Sequence, residues 1–274
     1  MGLERPVVLS VAPHPDDELL GAPATLMALR DAGWRVLTLA CSLGRAGDRE
    51  RRRRELEHAC TLAGFDLLVP EQLPPIGRDD DLADAQTALA ATVLATVQET
   101  GARLIVGPSP HDGHHAHEVA GRAIRDAVEC GGSGERRVMF WGLWADLPFP
   151  NVLVRFGAER LAEIQAALAA HEGELARSRF DRLLAGRAAA NAVLGPERDF
   201  GFGADGLEAG GRSGVGECAE LLCEVGWSAA SGWRLAPPRM FDTSDVEEPG
   251  RAPTGPELGW WLHATSARDQ LRRA

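Results

Sequence analysis

Two short segments hold residues that could do chemistry together. Pro13-His14-Pro15-Asp16-Asp17-Glu18 offers one imidazole and three carboxylates within five residues. His111-Asp112-Gly113-His114-His115-Ala116-His117-Glu118 offers four imidazoles and two carboxylates within eight. Groups this polar are costly to bury unless a metal or a substrate satisfies them. Together the segments supply His, Asp and His, a donor set that suits zinc, which in a catalytic site takes three protein ligands and keeps a position for water. Zinc polarises a bound carbonyl and brings the pKa of water from about 16 to about 7. Each segment alone has a plainer reading. An acidic turn before a helix serves as an N-terminal cap facing the helix dipole. A His-rich loop is commonly solvated surface. What joins the two segments is their position in the chain.

The apolar run Pro6–Val11 reads as a buried strand, and the first segment follows it directly. Leu19, Leu20, Leu26, Met27 and Leu29 then mark one side of a helix over 19–32, ended by Gly33. Further strands are expected over 36–41, 65–69 and 103–106, with helices over 49–63 and 82–99 and a Pro-rich, acidic loop over 70–81. The second segment follows the 103–106 strand and opens a helix over 116–130. Strands over 138–141 and 152–154 and a helix over 159–177 come next. This alternation predicts an α/β class: a Rossmann-like, mostly parallel sheet flanked by helices. Ligands of such sheets bind outside the carboxyl ends of the strands, where both segments fall. The tail reads as less regular, with seven glycines in 201–216 and an acidic loop over 242–256. We expect a single domain over 1–274, in which 1–145 form the α/β metal-site core and 146–274 shape the substrate pocket.

Composition narrows the partners. The 274 residues carry 29 basic and 40 acidic side chains, a net charge of −11. Nucleic-acid binding, which needs a basic face, is not expected. Lys and Tyr are absent, which excludes Schiff-base lysines and tyrosine acids. Five cysteines with no C-x-x-C read as reduced thiols of a cytoplasmic protein. No signal peptide and no membrane span are expected.

Pro13-His14-Pro15-Asp16-Asp17-Glu18 after an N-terminal strand closely resembles the signature of the LmbE/PIG-L-like zinc-dependent N-deacetylases. His114-His115-Ala116-His117 is similar to that family's H-P-D-H segment. Ser42-Leu43-Gly44, Arg52, Glu55-Leu56, Ala170-His171 and Ala219-Glu220 also fit its pattern. The resemblance implies a zinc hydrolase that removes an N-acetyl group from an N-acetylglucosamine-type sugar in a small-molecule conjugate, as in antibiotic tailoring. It implies His14, Asp17 and His117 as metal ligands, Asp16 as general base, and His114 as the group stabilising the oxyanion. The carboxylate doublet then divides the work, one member on the metal and one on the water. Iron, cobalt or nickel could also occupy such a site. His115-Ala116 replaces the family's Pro-Asp, so the carboxylate that would orient His114 is missing. His115 itself reads as surface, as a donor to substrate or as a ligand in another register. Two other readings stand beside this one: an amidase on a mycothiol-like thiol-sugar conjugate, and a non-catalytic sugar-binding module.

Arg52, Asp80 and Trp144 are the expected substrate contacts, from a run Arg51–Arg54 and a run Asp79–Asp81 that otherwise read as solvated. Trp141 and His171 read first as structural. Gly201-Phe202-Gly203-Ala204-Asp205-Gly206 matches G-x-G-x-x-G but does not join a strand to a helix, so it is not read as a nucleotide loop.

Overall fold

Val7–Ala12 forms strand β1, buried at all six positions, because an apolar run covered on both faces has no need of alternation. The computed structural model describes residues 5–77, 80, 82–132, 134–201, 217–244, 254–267 and 269–270. After β1 come α1 (Asp17–Leu20), α2 (Pro23–Asp31), β2 (Arg35–Ala40), a 3-10 turn (Ala46–Asp48), α3 (Arg49–Ala63), β3 (Asp66–Leu68), α4 (Leu82–Thr100), β4 (Leu104–Pro108) and α5 (His115–Cys130). Then follow β5 (Arg136–Trp141), β6 (Val152–Phe156), α6 (Ala158–Leu168), α7 (Glu172–Arg177), α8 (Phe180–Phe200), β7 (Cys218–Ser228), β8 (Gly232–Leu235), β9 (Arg239–Met240) and α9 (Gly259–Leu262).

Among the described residues the sheet runs β3-β2-β1-β4-β5-β7-β6-β9, with β8 paired to β7. Strands β1 to β5 are mutually parallel. β7 is antiparallel to β5 and β6. One core layer packs Leu26, Met27, Leu56, Ile164 and Leu184 from α2, α3, α6 and α8. The other packs Leu89, Val93, Ile124 and Trp261 from α4, α5 and α9. The expected α/β class, with a mostly parallel sheet between helices, is what forms.

Several element boundaries differ from the sequence expectation, each for a local reason. The helix expected over 19–32 is two pieces, α1 and α2, because Pro23 opens a new helix at its first turn. Gly21 sits at the break, where an added Cβ would lie 2.4 Å from the Trp141 ring. The helix expected over 159–177 is also two, α6 and α7, with His171 between them in a non-helical conformation. The tail is more regular than expected, carrying the 21-residue α8 and the 11-residue β7. Most of the glycine-rich run and residues 245–253 lie outside the described residues.

Glu220 on β7 ties the two halves of the chain together. Its carboxylate accepts the Ala24 N–H at 2.6 Å, the Thr25 N–H at 2.9 Å and the Thr25 hydroxyl at 2.6 Å. Amides at the start of α2, which no intrahelical carbonyl can reach, are satisfied in this way. No described helix is long and apolar enough to cross a membrane. All five cysteines are free thiols, and only Cys130 is exposed.

Asp199, near the end of α8, is 5% exposed, and among the described residues neither of its oxygens has a hydrogen-bond partner. Burial pushes its carboxyl up to about 7. Between about pH 4 and that value the folded chain holds a proton that the unfolded chain has released. This contribution to stability is therefore full below about pH 4 and is lost as pH rises through 7. Asp199→Asn is expected to flatten the profile, gaining roughly 1–3 kcal/mol over the wild type at pH 8 relative to pH 5. Urea midpoints at the two pH values measure it, and parallel profiles for the two proteins would contradict the assignment.

Candidate functional site

β1 and β4 lie side by side and parallel, and the strand order reverses direction between them. A crevice opens at such a switch point, outside the carboxyl ends of the strands. The segment after β1 and the segment after β4 therefore meet there. Asp16 takes φ 120°, a region that favours glycine. Its backbone N–H donates to Glu18 Oε2 at 2.9 Å. The other carboxylate oxygen of Glu18 lies 2.6 Å from His171 Nε2, and both side chains are fully buried. The break between α6 and α7 thus brings His171 beneath the turn and secures the conformation of Asp16.

Three donor atoms converge on that turn. Asp17 Oδ2 lies 3.0 Å from His14 Nδ1 and 3.2 Å from His117 Nε2, and it also accepts the His14 backbone N–H at 2.8 Å. One nitrogen from each of His14, His114 and His117 lies within 4.8 Å of the others. Asp112, fully buried, holds His117 from behind, with Oδ2 2.8 Å from Nδ1. A carboxylate on the outer nitrogen of an imidazole fixes its tautomer and aim, as in zinc sites generally. Oδ1 of Asp112 accepts the Leu143 and Trp144 backbone N–H groups at 2.6 and 3.2 Å, so one carboxylate joins the loops after β4 and β5. The donor set, its convergence and its supports fit a divalent metal.

The charges follow from this packing. Burial opposes ionisation of Asp17, but His117 and His14 outweigh it and hold its carboxyl below the usual range. Burial, then the neighbouring Asp17 and Glu18, push the Asp16 carboxyl well above the usual range. Burial works against charge on His117, yet Asp17 and Asp112 overcome it and raise the ring to about 10. Burial and the adjacent His14 and His117 push His114 down to about 3. The Nδ1 of His114 is buried with no hydrogen-bond partner among the described residues, so none of their carboxylates fixes its tautomer.

The site forms the floor of a cavity of about 320 Å³, lined among others by His14, Asp16, Asp17, Arg52, His114 and His117. Arg52 is placed by the Pro15 carbonyl at 3.2 Å and by Glu174 at 3.3 Å. It passes Gly44, where a Cβ would lie 2.3 Å from its guanidinium. Trp144 is 52% exposed and stacks over His114, with ring centres 5.9 Å apart. Asp80 lies apart from this cavity. It lines an adjoining cleft of about 870 Å³, which shares His14 and His114 with the cavity. His115 faces the same cleft and stacks on His114 at 4.3 Å. Trp141 is buried edge-on to His117 and is not open to a ligand. Sequence reasoning missed Glu174, Arg177 and Phe180 in the cavity wall, and the support that Glu18 and Asp112 give. Only Asp112 had a visible signal, a carboxylate five residues before His117 in a strand-to-helix loop.

Residues 9–128 match the family model described as "PIG-L: GlcNAc-PI de-N-acetylase". The protein named "Probable N-acetyl-alpha-D-glucosaminyl L-malate deacetylase 2" of Bacillus cereus is 33% identical over 149 residues, 48% of this chain. That match spans 65% of the relative, just under two thirds of its length. Among solved structures, the conserved protein TT1542 from Thermus thermophilus superposes with TM-score 0.59 at 24% identity, covering 78% of this chain and 92% of that one. The A40926 pseudoaglycone deacetylase Dbv21 superposes with TM-score 0.56 at 18% identity, covering 80% and 96%. Both share the fold. The segment matched by that family model, residues 9–128, carries both motifs and the strands that position them.

Proposed function

We propose that the protein is a zinc-dependent N-deacetylase. Its substrate is an N-acetylglucosamine-type amino sugar within a small-molecule conjugate, of the kind met in antibiotic or other secondary-metabolite tailoring. The observation that carries this reading is the convergence of His14 Nδ1 and His117 Nε2 on Asp17 Oδ2, at 3.0 and 3.2 Å, beside Asp16 on the floor of one cavity. His14, Asp17 and His117 would hold the metal. When bound, zinc supplies Lewis acidity toward the amide carbonyl and toward the attacking water. Asp16 takes the proton of that water and passes it to the leaving nitrogen. A C–O bond forms and the amide C–N bond breaks, giving acetate and a free amine. His114 faces the carbonyl oxygen as charge builds there. Arg52 and Trp144 position the sugar from the cavity wall, and Asp80 reaches the part of the conjugate lying in the cleft.

The relatives support this. One is named for deacetylating a glucosaminyl malate, the other for deacetylating an antibiotic pseudoaglycone. Glu174, Arg177 and Phe180 in the wall support a one-domain reading, with 1–145 as metal-site core and 146–274 shaping the pocket. A cytoplasmic place suits the five free thiols.

The test is amine release from a panel of N-acetylated amino sugars and conjugates by zinc-loaded protein. The chain has no Lys, so its own amine signal is small. Release of acetate and amine in equal amounts is expected. No release from metal-containing protein would overturn the reading in favour of the larger-acyl amidase or the binding module.

A further inference from the structure

The arginines around the site are not neutralised alike. Arg52 and Arg177 share Glu174, at 3.3 and 2.7 Å. Arg45 lines both the cavity and the cleft, and Arg49 lines the cleft, one on each side of the 3-10 turn. Among the described residues neither has a carboxylate partner, and the Arg49 guanidinium reaches only the Gly44 carbonyl, at 3.5 Å. Of the other carboxylates lining these walls, Asp16 and Asp17 lie on the cavity floor, and the remaining two have partners of their own. Asp48 pairs with Arg51 at 3.3 Å, and Asp80 accepts the Gly77 N–H at 2.6 Å. Two uncompensated guanidinium groups beside the reacting centre run against a chain of net charge −11. Guanidinium forks match carboxylate and phosphate oxygens, and partial burial by a ligand strengthens the pairing.

We propose that Arg45 and Arg49 form an anion-recognising subsite. It takes a carboxylate or phosphate on the aglycone of the sugar while the acetamide lies at the floor of the cavity. One ligand can span both spaces because the cavity and the cleft share His14, Arg45 and His114. This inference rests on the deacetylase reading for the identity of the sugar, and its test is kept separate from turnover.

Calorimetric titration compares three ligands on zinc-loaded protein: N-acetylglucosaminyl malate, N-acetylglucosamine 1-phosphate and the neutral methyl N-acetylglucosaminide. At least one acidic ligand is expected to bind about tenfold or more tighter than the neutral one, and to lose that advantage as salt is raised. The first two ligands show which anion is preferred. In Arg45→Gln/Arg49→Gln the acidic-to-neutral affinity ratio is expected to fall to near one. Equal affinities in the wild type, no measurable binding, or a ratio that survives in the double variant would overturn the subsite. Amine release is scored on the same ligands. Its absence with the anion preference intact would overturn the deacetylase reading alone.

Discussion

Asp16→Asn is expected to lower amine release by roughly a hundred- to ten-thousandfold while leaving the metal in place. The side chain is 5% exposed, lies on the cavity floor and is next in sequence to Asp17 without sharing its contacts to His14 and His117. Asn keeps the size of the side chain and tolerates positive φ better than most residues, so the turn survives the change. What disappears is the capacity to take a proton from water and return it to nitrogen. Since amines leave poorly, that second transfer matters as much as the first. Metal content and the far-UV spectrum measured alongside separate this from misfolding. Activity above about a tenth of wild type at full metal content would remove Asp16 from the base role.

Asp17→Ala and His117→Ala are each expected to abolish stoichiometric zinc binding, whereas His114→Ala keeps the metal and loses about a hundredfold or more in rate. The contrast matters because His114 lies with His14 and His117 in one imidazole cluster. Geometry alone thus offers two overlapping triads, one containing Asp17 and one containing His114. The expectation favours Asp17 because its Oδ2 lies 3.0 Å from His14 Nδ1 and 3.2 Å from His117 Nε2. Asp112→Ala is expected to weaken zinc about ten- to a hundredfold through the freed His117 ring. Metal content after dialysis, with thermal melts as a folding control, decides among these. Full zinc in Asp17→Ala and loss in His114→Ala would exchange the two roles.

The parts of the site legible in sequence were those whose signal is local. β1 is a continuous apolar run with a polar turn at its end, and β4 repeats that arrangement, so both segments could be placed on one sheet edge. The support behind them was not legible, because it is made across long separations. His171 reaches Glu18 over 153 residues, and Glu220 reaches Thr25 over 195. Periodicity failed where a tertiary contact overrode it: the drawn-in His171 breaks what otherwise scans as one helix. β7 escaped notice because Glu220, Glu224 and Gly226 interrupt its apolar pattern, and each of the two carboxylates is satisfied by partners distant in sequence. Asp80 was expected at the substrate because its loop follows β3, and that loop places it in the cleft that adjoins the cavity.

The place of β7 also sets an order of events during synthesis. A ribosome delivers β1, the Asp16-Asp17 turn and α2 before β7, and the carboxylate that receives the opening amides of α2 arrives 196 residues later. β6, made before β7, has no neighbour in the sheet on that side until β7 slots between it and β5. Long-range closures of this kind are slow, because chain entropy is lost before the contacts form. Both motifs are therefore made before the β7 carboxylate that steadies the start of α2.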